Sequence, residues 1–369
     1  MARAWMRRLS PEKPSWVFRN PPYRRLTQVL FFGLTLWSGL QFAVFVHQLK
    51  DGRVPTVLRP QSIEAFLPIS ALLSLKYWII TGVISHIHPA ALILFLTFLA
   101  MTLLFKRAFC SWVCPIGLAL EALAFAKGEV LSRKVRLPKT LDVLFRAPKY
   151  ALLGFFVWVV CLKMDAPQIR AFLDSPYHRI ADIKMLEFFQ EPSRATLWVL
   201  GALILLGFFI PYSFCRYLCP YGALLGLISL LSPFKITRSE SLCTGCKRCT
   251  KACPVGMAIH RKKTVRSAEC HACLECVRAC PQKGALLFQA ISRRLALSLK
   301  ALALLVVLLV VLGVLGARLF GVWHTSIPLA EYRQHIQRLN EPDYAHPGPT
   351  AVKVPRVPIS IHEDLFMMT

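Results

Sequence analysis

The sequence predicts an α-helical integral membrane protein of about five spans, with one re-entrant or interfacial segment and a small α+β module inserted outside the bilayer. The first observation is composition: 55% of the 369 residues are hydrophobic, only 17% are charged, and the mean hydropathy is +0.50. Soluble domains carry charge on about a quarter of their residues. The second observation is a set of long charge-free runs. The third is a polar segment that holds eight of the 13 cysteines.

Five apolar stretches approach the length of about 20 residues that a helix needs to cross the hydrocarbon core. They are residues 26–49, 77–105 with its usable core at Pro89–Phe105, 151–162, 195–214 and 301–317. The third stretch is short, but Lys149 and Lys163 can snorkel from its ends. Residues 63–75 contain Glu64 and Pro68, so they are predicted to form the interfacial or re-entrant segment.

The basic residues predict the orientation, because segments rich in Lys and Arg remain in the cytoplasm. Lys and Arg number seven in residues 1–25, nine in 106–149 and fourteen in 215–294, against four each in 48–87, 164–194 and 322–369. The predicted order is a basic cytoplasmic N-terminus (1–25), a membrane domain (26–235), a cytoplasmic module (236–294), a final span (295–321) and a periplasmic tail (322–369). This alternation accounts for the net charge of +26, and no nucleic-acid partner is expected because no binding motif for one occurs.

The cysteines of the module form two identical runs, each Cys-x2-Cys-x2-Cys-x3-Cys-Pro. This spacing is typical of bacterial proteins with two [4Fe–4S] clusters, in which the fourth cysteine of each run crosses to the other cluster. One cluster is predicted to bind Cys243, Cys246, Cys249 and Cys280, and the other Cys270, Cys273, Cys276 and Cys253. Structural zinc also uses Cys-x2-Cys pairs, but not two four-cysteine runs that each end in proline. The module is therefore predicted to be a two-cluster ferredoxin-like α+β domain.

Six bases accompany the first run and the chain after it: Lys247, Arg248, Lys251, Arg261, Lys262 and Lys263. Positive charge near a cluster stabilises its reduced form, and it also steers an acidic redox partner toward the protein. The alternative is the general cytoplasmic bias in positive charge, which needs no partner.

A second constellation is an internal repeat at the cytoplasmic end of two predicted spans. Phe109-Cys110-x3-Cys114-Pro115-x-Gly117 recurs 105 residues later as Phe214-Cys215-x3-Cys219-Pro220-x-Gly222. Proline disfavours helical backbone at the residue before it, so Cys114 and Cys219 are expected in turns at helix boundaries. Soft thiolates from both copies can converge on one centre, which is an iron–sulfur cluster, a Cu(I) site or a redox dithiol. The alternative is four buried structural thiols, and the lone Cys161 is expected only to pack.

The paired cluster runs and the two Cys-x3-Cys-Pro motifs together give the chain a family resemblance. Further support comes from Cys215-Arg-Tyr-Leu-Cys219-Pro-Tyr-Gly-Ala, Leu231-Ser-Pro-Phe-Lys-Ile, Ser175-Pro-Tyr and Lys184-Met-Leu. From about residue 25 to residue 325 the chain resembles the membrane polyferredoxins of the NapH/NosR type. The resemblance implies a multi-pass protein of the bacterial inner membrane that passes electrons between the cytoplasm or the quinone pool and a periplasmic redox system. NosR-like proteins also carry an outer flavin-binding domain, and the residues before Leu26 show no motif for one.

The expected function is electron transfer as a component of an oxidoreductase system. The expected cofactors are two [4Fe–4S] clusters and a further thiolate-ligated centre, iron–sulfur or copper, and the expected partner is a redox protein, a quinone or a cytochrome. A self-sufficient dehydrogenase is not expected, because the sequence has no Gly-x-Gly-x-x-Gly motif. One alternative is a copper reductase or maturation factor for a periplasmic or membrane oxidoreductase. Another is a membrane scaffold in which the clusters are structural or sensory.

Overall fold

The computed structural model describes residues 23–130, 138–290, 292, 295–339, 341 and 344. Within these ranges the chain is mostly helical, and its sheet has two strands. Most of the basic N-terminus and the proline-containing end of the tail lie outside the described residues.

Three described helices are long and apolar enough to cross a bilayer: Tyr23–Lys50, Thr140–Lys163 and Leu299–Leu319. A fourth crossing results if Ala181–Gln190 and Arg194–Phe209, which meet at a bend of 78°, count as one broken span. The remaining candidate from the sequence, Pro89–Phe105, has 17 residues and belongs with the shorter apolar helices. A helical membrane protein is therefore confirmed, and the number of five spans stays a prediction.

The helix Pro89–Phe105 lies at the centre of the bundle. The preceding helix, Pro68–Thr81, ends at Gly82, which has a φ of +72°. The central helix begins with Pro89, a residue that suits the first helical position. Eleven of its 17 residues are buried, and it packs against Pro68–Thr81, Pro220–Ile228 and Leu299–Leu319. Most of its apolar side chains therefore pack against other helices of the protein.

Shorter helices and turns complete the bundle. Residues 63–75, predicted to be interfacial or re-entrant, form most of a 3₁₀ turn and the first half of the helix Pro68–Thr81. The other helices are Ala108–Trp112, Pro115–Val130, Lys139–Leu144, Ala147–Val157, Ala166–Leu173, Pro176–Arg179 and Leu329–Gln337. The 3₁₀ turn is Gln61–Phe66, and π-helical turns occur at Trp158–Lys163 and Phe214–Leu218.

The inserted module begins with strand β1, Phe234–Arg238, and closes with strand β2, Leu286–Ala290. The strands pair antiparallel, with Phe234 opposite Ala290 and Arg238 opposite Leu286, so both cysteine runs lie between them in the chain. The ring of Phe234 lies 5.8 Å from that of Phe105 and 5.7 Å from that of Phe288, measured between centroids. The core of the module is therefore continuous with the core of the helix bundle.

A buried polar network closes the opposite end of the bundle. The Arg59 guanidinium lies 2.9 Å from Glu64 and 2.7 Å from Asp182. His88 places one ring nitrogen 3.2 Å from Glu64 and the other 2.8 Å from the carbonyl of His178. The contacts connect the loop after Tyr23–Lys50 to the loop after Thr140–Lys163 and give the buried charges partners.

Candidate redox site

Two cavities lie in the module, and they divide its eight cysteines into two sets of four. The proximal cavity, which borders the membrane helices, is lined by Cys253, Cys270, Cys273 and Cys276 and by Ile236, Pro254, Val255, Met257, Ile259, Val265 and His271. The distal cavity is lined by Cys243, Cys246, Cys249 and Cys280 and by Arg238, Thr244, Lys247, His260, Gln282, Ala285 and Leu286. In each set, three cysteines come from one run and the fourth comes from the other run, as the spacing predicts.

Each run wraps its cavity with the same backbone turn. The residue after the second cysteine, Lys247 in one run and Leu274 in the other, has a left-handed backbone with φ of 59° and 58°. A short helix follows each turn, Arg248–Ala252 in the first run and Glu275–Arg278 in the second. These two helices pack against each other, and the end of each run thereby reaches the cavity of the other.

The cysteines of the distal cavity are the more exposed set. Cys246 is exposed, and the other three cysteines of the set are half-buried. The backbone N–H of Gly245 lowers the pKa of Cys243, and the backbone N–H of Arg248 lowers the pKa of Cys246. Because the thiolate is the metal-binding form of cysteine, both side chains reach that form more readily than a free cysteine.

The cysteines of the proximal cavity are the more buried set. Cys253, Cys270 and Cys276 are buried, and Cys273 is half-buried. Removal from water disfavours the thiolate, so burial raises the pKa of Cys253, Cys273 and Cys276. A coordinating metal deprotonates its thiols outright, so metal binding and thiolate formation are one event in this cavity.

The second run is fastened to the membrane helices by the chain that follows Cys110. Ser111 Oγ donates to the carbonyl of His271 at 2.5 Å. Trp112 Nε1 donates to the carbonyl of Ala272 at 3.0 Å. The loop of the second run therefore lies directly beside the first Cys-x3-Cys-Pro motif.

A buried ion cluster reinforces this contact. Glu269 accepts a hydrogen bond from Lys149 Nζ at 2.6 Å, and its other carboxylate oxygen lies 3.5 Å from Arg107. The three side chains are at most 5% exposed. Arg107 also donates to the carbonyl of Ala268 at 3.3 Å. The module thus supplies a carboxylate that both membrane-domain cations contact.

A second ion cluster contains Arg24, which pairs with Glu121 and lies 3.4 Å from Glu275 of the second run. Tyr212 donates to Glu121 at 3.1 Å. Sequence reasoning missed both clusters, because their basic residues were counted as orientation signals. Lys149 was also expected to snorkel from a span end, but it is buried and paired with Glu269. The available signal was Glu121 itself, since an acid within an apolar helical stretch marks a functional or paired site by default.

The four cysteines of the Cys-x3-Cys-Pro motifs, here called the edge cysteines, converge at the module end of the bundle. They are Cys110, Cys114, Cys215 and Cys219. The first cysteine of each motif is buried and the second is half-buried, and all four thiols lie within electrostatic range of one another. Each second cysteine directly precedes a proline that starts a helix, in agreement with the predicted helix boundary.

The glycine of each motif lets the next helix return onto the first cysteine. A Cβ atom at Gly117 would collide with the carbonyl oxygen of Cys110. A Cβ atom at Gly222 would lie 3.2 Å from the carbonyl oxygen of Cys215 and 2.9 Å from the Arg107 guanidinium. At Gly117 only glycine permits this approach, whereas at Gly222 a side chain would require Arg107 and the backbone of Cys215 to shift. Arg107 is buried and lies beside the edge cysteines.

The proximal cavity fits an iron–sulfur group. His271 is 2% exposed, lines this cavity, and has no hydrogen-bond partner for either ring nitrogen among the described groups. An imidazole carries at least one N–H, and the sulfur atoms of a cluster accept such bonds. Within the described ranges no three His, Cys, Asp or Glu side chains are grouped to hold a single metal ion. Four of the residues that line the cavity are cysteines, and thiolates are the ligand type that iron–sulfur clusters require.

Two family models match the chain. The model of a 4Fe-4S binding domain matches residues 87–138 and 194–239, once over each Cys-x3-Cys-Pro motif. The model of a 4Fe-4S dicluster domain matches residues 235–281, which contain both cysteine runs. The chain is therefore an iron–sulfur protein of the 4Fe–4S type.

Three relatives illustrate the family. YccM of Escherichia coli (strain K12), which is named for electron transport, is 38% identical over 322 residues, 85% of this chain and 89% of YccM. The ferredoxin-type protein NapH of Haemophilus influenzae is 27% identical over 262 residues, 69% of this chain and 83% of NapH. The regulatory protein NosR of Pseudomonas aeruginosa is 29% identical over 189 residues, 47% of this chain and 24% of NosR. No solved structure matches the chain significantly.

Proposed function

The chain belongs to the family of membrane-bound ferredoxin-type electron-transfer proteins that includes YccM and NapH, and from that premise we propose a route for its electrons. They exchange with a soluble partner at the distal cavity, pass through the proximal cavity, and reach a third centre at the edge cysteines. A membrane partner completes the route. An iron–sulfur cluster supplies one-electron storage at each station, and the residues of the chain hold the stations in order.

The observation that carries this proposal is the hydrogen-bonded contact between residues 110–112 and residues 271–272. Cys110 and Ser111 are neighbours in the chain, and so are Cys270 and His271. One hydrogen bond of 2.5 Å therefore joins a residue next to an edge cysteine to a residue next to a proximal one. This contact supports placing the edge cysteines next to the proximal cavity in the route.

Two clusters in the module are proposed, with crossed ligands. Cys243, Cys246, Cys249 and Cys280 hold the distal cluster, and Cys253, Cys270, Cys273 and Cys276 hold the proximal cluster. The support is that each set of four lines one cavity. The dicluster description of the family model over residues 235–281 agrees with this number.

A third [4Fe–4S] cluster is proposed at the edge cysteines, in preference to a copper site or a dithiol. The convergence of four thiols from two motifs supports it, and so does the 4Fe-4S description of the model that matches both motifs. Such a cluster needs thiolate ligands, and Arg107 places a positive charge beside them.

The chain is proposed to have five spans in a bacterial inner membrane, with the module in the cytoplasm and the tail in the periplasm. The Lys and Arg counts support this orientation. The hydrocarbon core is about 30 Å thick, and the edge cysteines lie at its inner side in this topology. A quinone, a cytochrome or another membrane subunit must therefore take the electrons onward or supply them.

The third centre is tested with the double variant Cys110→Ser and Cys215→Ser, which removes the buried thiol of each motif. We expect iron to fall from about twelve to about eight atoms per chain, with a proportional loss of acid-labile sulfide. One signal should disappear from the EPR redox titration while the two signals of the module persist. Those persistent signals also show that the variant folds.

The matched control is Cys161→Ser, because Cys161 is exposed and lies in the π-helical turn Trp158–Lys163, away from the other cysteines in the chain. Its iron content and spectrum should equal those of the unmodified protein. If the double variant also keeps all its iron and every EPR signal, the edge cysteines are structural thiols and the route ends at the proximal cavity.

A further inference from the structure

The mouth of the distal cavity is surrounded by exposed bases. Lys247 lines the cavity, and Arg248 follows it. Arg261 and Lys262 follow the cavity residue His260, and Lys283 follows the cavity residue Gln282. We call Lys247, Arg248, Arg261, Lys262 and Lys283 the basic rim. Three separate chain segments build it, so positive charge adjoins the cavity lining at three places.

The acids of the module do not offset the basic rim. Between residues 234 and 290 the chain has three acids, Glu240, Glu269 and Glu275. Glu269 is buried against Arg107 and Lys149, and Glu275 is half-buried with one oxygen 2.6 Å from Arg278. Only Glu240 is exposed, and it lies 3.4 Å from Arg238. The solvent-facing charge of the module is therefore almost entirely positive.

The basic rim takes no part in the described hydrogen bonds between the membrane helices and the module. Those hydrogen bonds end on Val255 and on residues 265–272. Val255, Val265 and His271 line the proximal cavity, and none of these residues lines the distal cavity. Anionic lipid headgroups at the ends of the helices thus have less access to the basic rim than a soluble molecule has.

We propose that the basic rim is the docking surface for a small, acidic, soluble electron-carrier protein. Five exposed bases from three segments offer more positive charge than one phosphate or carboxylate group needs, and such a surface complements an acidic protein face. The exposed Cys246 brings the edge of the distal site to the interface. The inference rests on the proposed electron exchange at the distal cavity and names its partner. In each encounter the carrier loses one electron and the distal centre gains one, or the reverse, with no proton or bond transferred.

The test follows electron transfer from flavodoxin hydroquinone, an acidic one-electron donor, to the oxidised full-length protein in uncharged detergent. Stopped-flow absorbance gives the second-order rate constant. Between about 0.01 M and about 1 M salt the Debye length falls from about 30 Å to about 3 Å, so we expect the rate constant to fall about tenfold or more.

The decisive variant reverses three charges of the rim: Arg261→Glu, Lys262→Glu and Lys283→Glu. None of these residues lies within two positions of a cysteine, so the cluster sites stay intact, and potentiometric titration checks this. The variant should lose about tenfold or more of the low-salt rate. The matched control is Arg53→Glu, Arg170→Glu and Arg194→Glu, an equal change in net charge at the opposite ends of the helices, and it should change the rate less than about twofold.

Equal losses in both triple variants would overturn the docking surface, because net charge alone would then explain the effect. A rim variant that keeps its rate with flavodoxin but loses binding to vesicles of anionic lipid would overturn it too, in favour of a membrane contact. If dithionite reduces the clusters and flavodoxin does not, the docking proposal fails and the electron-transfer proposal stands. If neither reductant reduces them, the proposed function itself fails.

Discussion

The proximal and distal cavities are built from the same cysteine run and the same left-handed turn, yet their surroundings differ. The cavities are similar in size, about 340 and 360 Å³ including the space open to solvent. The distal cavity has an exposed cysteine and a rim of bases in water. The proximal cavity has buried cysteines, an unpartnered imidazole and ion pairs to the membrane helices. The residues around the cysteines, rather than the cysteine runs themselves, therefore determine which site faces solvent and which faces the membrane helices. Such control by surrounding residues is usual for metal centres.

The largest expected effect comes from replacing the cysteines, which tests whether the two cavities exchange their fourth ligands. Cys253 belongs to the first run but lines the proximal cavity with the second. We therefore expect Cys253→Ser to remove the same EPR signal as Cys270→Ser, with a loss of about four irons per chain. Cys280→Ser should instead reproduce Cys243→Ser. If Cys253→Ser and Cys243→Ser remove the same signal, each run binds its own cluster and the ligands do not cross.

The next effect concerns stability, and it compares two carboxylates of the module. Glu269 is buried between Lys149 and Arg107, so Glu269→Gln leaves two buried cations without an anion. Removing one partner of a buried pair costs about 3–5 kcal/mol of unfolding free energy. Glu240 is 62% exposed, and its pair with Arg238 is worth about 0–1 kcal/mol, so Glu240→Gln is the control.

The measurement is a denaturant titration in mild detergent, followed by helical circular dichroism and by the visible absorbance of the clusters. Glu269→Gln should shift both transitions, because Glu269 joins the module to the helices. Equal midpoints for Glu269→Gln and Glu240→Gln would show that the ion cluster does not fasten the module.

The two cavities also show what a sequence can predict. Cysteine spacing predicts the sets of four because three ligands of each set lie close together in one run and the spacing pattern is known to exchange the fourth cysteine between runs. The backbone turn at Cys114 and Cys219 was predictable from local sequence too, since a proline restricts its immediate neighbour. Only the exchange of Cys253 and Cys280 between the sets involves residues far apart in the chain.

The surroundings of the cavities could not be predicted, because they depend on distant pairs. Lys149 and Glu269 are 120 positions apart, and a count of bases treats a buried lysine like one at the membrane surface. The number of spans stays a prediction for a related reason. Pro89–Phe105 is apolar on all sides, and such a pattern is the same whether the helix contacts lipid or other helices.

The smallest predicted effect is on the cluster potentials, and it concerns the histidine that lines each cavity. His271 lines the proximal cavity without a partner for its ring nitrogens, whereas His260 lines the distal cavity with one ring nitrogen 2.8 Å from Thr250 Oγ1. We expect the His271 N–H to donate to a sulfur of the proximal cluster, a bond that stabilises the reduced form. Phenylalanine retains the packing of the ring, which lies 5.1 Å from that of Tyr212, and removes the donor.

His271→Phe should therefore lower the potential of the proximal cluster. A neutral hydrogen bond contributes about 1 kcal/mol, which corresponds to roughly 40 mV for one electron. Redox titration followed by EPR measures the shift, and iron analysis confirms that the cluster is retained. His260→Phe is the control and should move the distal potential less, because its ring already has a partner. An unchanged proximal potential in His271→Phe would mean that the imidazole only fills space, and the two cavities would then differ in exposure and charge but not in hydrogen bonding to their clusters.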